Sequence, residues 1–374
     1  PGKYDSTLAI EDRNRLYNLG LFSTVNINLL DSTYTINLVE TFHYYPLPII
    51  EYDESKGWSY GLGIAFLNFN GLNQKLIIGG ILGQETTYFI DFNDPWIIGN
   101  HVSLSSSIYK FNTQNPIYLY NYLEKGINIG TSLYYKKNHK FKFLIGFENI
   151  SIDTTNLTNK RINYNLNNLL NKYQYIRSDL GYIYDKRDIF LDPTSGEKIS
   201  FYFKPKFSME NSDHYYQFLF IYTKYFLLLK TSLEPVLSAQ SKIYLKYSKT
   251  LPIFEYQYLG GEDFVRGYSP LPDENSNKIS HLIEGFNIIY QSFQLQHTLL
   301  SKKDYSGVEL GIDIVYFTDF GITSNTLETM KMQNILIGYG CGFRFFISGA
   351  GVIKIDFGFN PYGEKWLLHP SDDS

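Results

Sequence analysis

The stretch Val308-Glu309-Leu310-Gly311-Ile312-Asp313-Ile314-Val315-Tyr316-Phe317-Thr318-Asp319-Phe320-Gly321 decides the fold. Side chains of an extended chain alternate with period two, so Val308, Leu310, Ile312, Ile314 and Tyr316 share one face. Glu309, Gly311, Asp313, Val315, Phe317 and Asp319 share the other. A soluble sandwich also alternates, but its inward face is apolar. A strand with lipid on one side and a polar interior on the other predicts this pattern. It recurs outward from this stretch. Over 334–347, Ile337, Tyr339, Cys341, Phe343 and Phe345 oppose Gly338, Gly340, Gly342, Arg344 and Phe346. Over 173–185, Ile176, Leu180, Tyr182 and Tyr184 oppose Arg177, Asp179 and Asp185.

Composition agrees. Aromatic residues make up 17% of the 374 residues, with 34 Tyr and 28 Phe, which favours strands and interfacial girdles. No run approaches the roughly 18 apolar residues of a spanning helix, a test that spanning strands escape. The net charge of -4 gives a nucleic-acid partner no electrostatic support. The single cysteine, Cys341, has no disulfide or CxxC partner, and no HExxH or GxSxG occurs. No catalytic residue, metal site or cofactor is therefore expected. Pro1 without an initiator Met reads as a fragment boundary, so the lack of a secretory leader says little about location.

Residues 1–43 differ from the rest. Ala9 to Asn18 predicts a helix with Ile10, Leu16, Tyr17 and Leu19 on or near one face, stopped by Gly20. Phe22 to Leu29 and Tyr34 to Val39 predict a hairpin about an Asp31-Ser32 turn. From Tyr44 onward the chain predicts about sixteen strand segments, near 44–52, 58–68, 74–83, 86–93, 100–111, 119–135, 139–152, 173–185, 196–207, 213–228, 232–248, 284–299, 306–320, 334–347, 351–360 and 364–369. Asn93-Asp94-Pro95-Trp96 and Lys136-Lys137-Asn138-His139 read as tight turns, 151–172 and 249–280 as long connections. The expected architecture is an all-β, sixteen-stranded antiparallel transmembrane barrel over 44–374, preceded by an α+β fragment over 1–43.

The long connection holds Leu259-Gly260-Gly261-Glu262-Asp263-Phe264-Val265-Arg266-Gly267-Tyr268. A surface loop would leave Arg266 solvated; a loop folded inward needs a carboxylate for it, and Asp319 lies on the inward face. Gln294 faces inward with Tyr290 and Ser292 and offers a further hydrogen bond. Arg344, Asp356 and Lys354 on neighbouring strands read as a structural network of the lumen. The glycines of 338–342 lie in a strand, where they mark a bend or a close approach.

Val265-Arg266-Gly267-Tyr268, together with Phe317-Thr318-Asp319-Phe320-Gly321, resembles the signature loop and partner strand of the BamA/TamA superfamily, the bacterial surface antigen family. Asn93-Asp94-Pro95-Trp96, and Asp185-Lys186-Arg187-Asp188 with Asp192-Pro193-Thr194-Ser195-Gly196, resemble its recurrent turns. Leu16 to Val25 is similar to the second helix and following strand of a POTRA repeat, so 1–43 would be the C-terminal half of one. The likeness spans nearly the whole chain; its motifs are specific only in combination. It implies an outer-membrane barrel that inserts or translocates client outer-membrane or secreted proteins, with the N-terminal fragment in the periplasm and periplasmic partners reached through POTRA. It implies that Arg266 is pinned to Asp319, with Phe317, Gly321 and Gln294 around it. Two departures stand out: Gln294 occupies the position of a frequent family glutamate, and the chain ends in polar residues where the family's last strand ends in an aromatic. A passive channel, or the barrel of a patatin-like type V autotransporter, fits the same pattern.

Overall fold

The computed structural model describes residues 5–30, 33–53, 57–83, 85–99, 101–115, 119–153, 155, 171–210, 212–231, 233–269, 280–305, 308–347, 351–362 and 366–373. A helix, α1 (Ser6–Tyr17), is capped by the Asp5 carboxylate, which accepts from the backbone of Thr7 and Leu8. It packs on a hairpin of β1 (Phe22–Leu30) and β2 (Thr33–Glu40). The chain then runs through β3 (Tyr44–Asp53), β4 (Gly57–Phe69), β5 (Gln74–Gly83), β6 (Glu85–Ile98), β7 (Val102–Gln114), β8 (Asn121–Tyr135) and β9 (His139–Asp153). It continues through β10 (Lys172–Asp185), β11 (Gly196–Ser208), β12 (Tyr215–Leu227) and β13 (Val236–Tyr247). A long inserted segment carries a short pair of its own, β14 (Gln257–Tyr258) with β15 (Glu284–Gly285). The last strands are β16 (Asn287–Tyr305), β17 (Val308–Ser324), β18 (Leu336–Ile347), β19 (Gly351–Phe359) and β20 (Leu367–Asp373).

Apart from β1, β2, β14 and β15, these strands form one sixteen-stranded antiparallel sheet in sequence order, with β13 pairing directly to β16. Its edges are β3 and β20, which make no pairing with each other among the described residues. Neighbours in the sheet follow one another in the chain, as antiparallel pairing permits, and only β13 and β16 are separated by the inserted segment.

Burial separates the two faces as the alternation requires. On β17, Asp313, Val315, Phe317 and Asp319 are buried, whereas Leu310 and Tyr316 are exposed. The outward face carries large apolar side chains in the open, Leu62 at 76% and Ile98 at 69% among them. Water would not tolerate so continuous an apolar band; hydrocarbon does. Among the described residues no helix is long and apolar enough to cross a membrane, which does not bear on strands.

Most connections at the end of the sheet that holds the N-terminal fragment are short. There the Tyr17 hydroxyl donates to the Glu309 carboxylate at 2.6 Å, and the Phe190 amide donates to Asn18 Oδ1 at 3.0 Å. Burial, followed by the hydrogen bond and the charge of Glu309, pushes the Tyr17 phenol well above its ordinary range, so it stays a donor. The 186–195 connection is the longest at this end. It folds inward, with Asp192 accepting from Gln296 at 3.0 Å and pairing with Lys302 at 2.5 Å.

Two expectations need amendment. Asn93-Asp94-Pro95-Trp96 is no turn: β6 runs on to Ile98, and the chain reverses after Gly99. Pro95 is tolerated because the register shifts between Asp94 and Ile98, where no ladder bond is demanded of it. Ile10 does not lie on the packed face of α1; it is 55% exposed, and small Ala9 is the buried residue that lets the helix approach β1. The Asp31-Ser32 turn and most of the 151–172 connection lie outside the described residues.

Candidate functional site

The segment between β13 and β16 enters the interior of the sheet and is seated at two places. The first is the Arg266 site. Val265 donates its N–H to the Leu259 carbonyl at 2.9 Å, and Gly261 donates to Tyr268 at 2.9 Å, which curls 259–268 into a tight unit. Leu259, Phe264, Val265 and Tyr268 pack with Ile283, Ile288, Tyr290 and Leu336 in one buried cluster. That wedge sets Arg266, 3% exposed, against the wall.

The guanidinium meets Asp319 as a fork: Nε donates to Oδ2 and Nη2 to Oδ1, both at 2.8 Å, and the Arg266 backbone N–H adds a third bond at 3.1 Å. Asp319 also accepts from the Ser292 hydroxyl at 2.7 Å and the Tyr290 hydroxyl at 3.2 Å. The Phe317 ring lies 3.5 Å from the guanidinium carbon, a cation–π contact in a dry setting. The remaining arm, Nη1, donates to Asp356 at 2.8 Å, and Asp356 is in turn forked by Arg344 at 2.6 and 3.0 Å. Two guanidinium groups and two carboxylates thus form one buried, charge-balanced quartet across β17, β18 and β19. Burial alone would lower the Arg266 pKa; the bond to Asp319 and its charge outweigh that and raise it, so the guanidinium keeps its proton.

The neighbouring backbone is held as firmly. Gly267 adopts φ +94, a conformation an L side chain rarely takes; its N–H donates to His369 Nε2 at 2.9 Å, and its carbonyl accepts from Asn360 at 2.7 Å. The Tyr268 hydroxyl donates to the Ile337 carbonyl at 3.0 Å. The strand glycines make room for this. A Cβ at Gly338 would run into the Arg266 carbonyl oxygen, and one at Gly321 would press on Val265 and Leu259.

Of the residues singled out from sequence, Val265, Arg266, Gly267, Tyr268, Asp319, Phe317 and Gly321 therefore meet. Gln294 stands beside them but plays a different part: its amide donates to Ser292 Oγ at 3.3 Å and reaches Arg266 only through that hydroxyl. Arg344 and Asp356, read as a separate network, belong to the Arg266 site. Lys354 lines the same polar cavity of about 310 Å3, which extends to Asp192 and Asp313.

The second seat was missed from sequence. Glu255, in a short 3-10 turn (Ile253–Glu255), accepts from Tyr215 at 2.7 Å and Gln217 at 2.7 Å and pairs with Lys246 at 2.7 Å and Lys206 at 3.6 Å. Lys206 also pairs with buried Glu148 at 2.8 Å, which Arg177 reaches at 2.6 Å. Ile253 packs in a buried cluster with Tyr120, Ile150, Tyr173, Tyr175 and Tyr215. Burial by itself would raise the Glu255 carboxyl; the ammonium groups of Lys246 and Lys206 and the hydrogen bonds outweigh it and hold it at about 2. A lone glutamate in a loop, nine residues from Lys246 and 38 to 49 from Gln217, Tyr215 and Lys206, gives no signal of the pairing.

A family model described as the Omp85 superfamily domain matches residues 68–365. Among solved structures, BamA from Haemophilus ducreyi lacking POTRA domains 1-3 aligns over 99% of this chain and 82% of its own, with a TM-score of 0.66 and 16% identity. CdiB from Escherichia coli aligns over 99% of this chain and 69% of its own, with a TM-score of 0.57 and 16% identity. CdiB from Acinetobacter baumannii aligns over 96% and 66%, with a TM-score of 0.56 and 16% identity. At that identity the solved structures speak for the fold. No curated protein matches the sequence.

Proposed function

The chain belongs to the Omp85 superfamily of bacterial outer-membrane β-barrel proteins, and from that premise we propose that it inserts or translocates client proteins at the outer membrane. In this reading the sheet closes between β3 and β20, and that contact opens to a client. An opened edge presents unpaired N–H and C=O groups, which template an incoming strand. Residues 1–43 act as the C-terminal half of a POTRA repeat on the periplasmic side, and 44–374 form the barrel.

The observation that carries the reading is the grip of the inserted loop on the C-terminal edge. Arg266 holds Asp356 on β19, and Gly267 holds His369 on β20. β20 has only seven residues, whereas β16 and β17 have 19 and 17. A strand so short keeps few ladder bonds of its own, so a second support matters most there. The loop acts as a splint: β3 and β20 separate while β19 and β20 keep their place.

The test is reconstitution. Proteoliposomes holding the chain are mixed with a urea-unfolded outer-membrane barrel protein, and client folding is followed by heat-modifiable gel mobility. Folding several-fold faster than with empty liposomes is expected, reduced by Arg266→Ala. Stable single-channel conductance with no acceleration of client folding would replace this reading with a passive channel.

A further inference from the structure

The charges of the lumen are not spread evenly. On the β17–β19 side the cations Arg266 and Arg344 are matched by Asp319 and Asp356. The β9–β11 side is different. Lys140 and Lys142 on β9 and Lys198 and Lys204 on β11 share the inward face with buried Glu148 and Ser200. The residues between them, Phe141, Phe143 and Phe201, are 43–47% exposed on the outward face.

None of these four lysines forms an ion pair among the described residues. Lys140 donates to the Tyr134 hydroxyl at 2.7 Å, and Lys204 lies 5.5 Å from the Tyr202 ring; neither contact removes charge. Of the two nearby carboxylates on β10, Asp185 is forked by Arg187 at 2.9 and 2.7 Å. Asp179 stands among the four lysines, and it also approaches Arg177 at 3.9 Å. Like charges on one wall repel, and among the described residues the two β10 carboxylates, Asp185 opposite Lys198 and Asp179, are outnumbered by the four lysines with Arg177 and Arg187.

The geometry adds a direction. Lys140 follows the 136–138 turn and Lys198 lies two residues beyond Gly196, both at the end that holds the N-terminal fragment. Lys204 lies roughly 20 Å further along the strand at about 3.3 Å per residue. Between Lys142 on β9 and Tyr202 on β11 stands Gly181, which brings no side chain and lets the Tyr202 ring lie over the β10 backbone. The wall is thus a shallow trough floored at its centre by the Tyr202 ring and flanked by lysines.

We propose that this trough is a binding track for an extended acidic polypeptide segment entering the lumen from the side of the N-terminal fragment. An extended segment lying along β10 turns alternate side chains to the wall about 6.6 Å apart, the spacing of Lys140 and Lys142. Carboxylates at that interval meet successive ammonium groups; a single small anion meets one or two. The attraction is charge-driven in a solvated groove, so it weakens with salt. The proposal rests on the reading above for why a polypeptide occupies the lumen.

The test measures binding without any client or folding step, so the two ideas fail separately. The full chain in lipid nanodiscs is titrated with a labelled ten-residue peptide of alternating Asp and Gly, and anisotropy is followed. Binding is expected to weaken as salt rises and to fall at least tenfold in the combined variant Lys140→Gln, Lys142→Gln, Lys198→Gln, Lys204→Gln. Single Lys142→Gln and Lys198→Gln variants, each checked for native heat-modifiable mobility, are expected to give intermediate losses. A Lys/Gly peptide of equal length should not bind. Equal binding of both peptides, or unchanged affinity in the combined variant, overturns the proposal. So does full displacement by inorganic phosphate at the same total charge, which would mark a site for small anions.

Discussion

The two seats of the inserted loop are built with opposite charge. At one, a loop cation, Arg266, is buried among wall carboxylates on β17 and β19. At the other, a loop carboxylate, Glu255, is buried among wall cations on β11 and β13. Each has its own apolar cluster beside it. The Arg266 seat lies next to the β20 edge, the Glu255 seat in the middle of the sheet. The loop therefore ties the strands beside the proposed opening to strands with paired neighbours on both sides. Reversed polarity also keeps the loop in register, since Arg266 at the lysine seat or Glu255 at the aspartate seat would face like charge. Such mispairing costs several kcal/mol in a dry setting.

The largest effect should come from Arg266→Ala. It leaves Asp319 fully buried with only hydroxyl donors and removes one of the two cations at Asp356. Breaking one side of a buried ion pair costs about 3–5 kcal/mol. Expected outcomes are protease cleavage within 249–269 of the folded protein and a lower temperature for loss of heat-modifiable mobility. Unchanged protection would show that the apolar cluster alone seats the loop. Arg266→Lys, which keeps the charge and loses the fork, should fall between the two.

The Glu255 seat should respond to acid. Its folded carboxyl sits near 2, below its ordinary value of 4.5. A depressed carboxyl gives stability that is complete above the unfolded value and is lost as pH falls toward the folded one. The window therefore runs from about pH 4.5 down to about 2, with an upper bound of roughly 3 kcal/mol. Loop protection in 249–257 measured by hydrogen exchange should decline across that window. Glu255→Gln should flatten that part of the decline and lower protection at pH 7. An identical pH profile in the variant would place the acid sensitivity elsewhere.

Much of this is legible in the sequence, for a physical reason. Period-two alternation is a local property, so the strands from 57–69 to 351–359 and the inward faces of Asp319, Arg344 and Asp356 could be read residue by residue. The register across the sheet cannot be read this way, so the sequence groups Asp356 with Arg344 and not with Arg266. The Glu255 seat stayed hidden because nothing in a loop sequence separates a buried glutamate from a solvated one. The false turn at Asn93 to Trp96 came from treating Pro95 as a chain reversal, when a register shift had made a place for it.

Gly338→Ala is a steric test of how closely the Arg266 seat is built. The added methyl group meets the Arg266 carbonyl oxygen, which is backbone and cannot swing aside. Overpacking of this kind costs about 1–3 kcal/mol. The loop should loosen around 264–268 and stay protected at Glu255, which hydrogen exchange resolves peptide by peptide. Loosening at both seats together would show that they act as one unit. The comparison would then reduce to a single anchor.

The smallest effect expected is that of Gln294→Glu. From sequence, Gln294 marks a missing carboxylate and hence a weaker clamp on Arg266. In the structure, Asp356 supplies the second carboxylate from β19, and the quartet is already balanced. A glutamate at 294 would add an unmatched negative charge beside Ser292, whose hydroxyl now donates to Asp319 and accepts from Gln294. The change should therefore be neutral or slightly destabilising, within about 1 kcal/mol at neutral pH. Paired with Asp356→Asn, the same glutamate should become favourable, since it then restores the lost charge. A double-mutant cycle on the temperature at which heat-modifiable mobility is lost reads that reversal of sign. A glutamate that stabilises the wild-type background instead would mean that Arg266 is short of a carboxylate after all, and that Asp356 belongs mainly to Arg344.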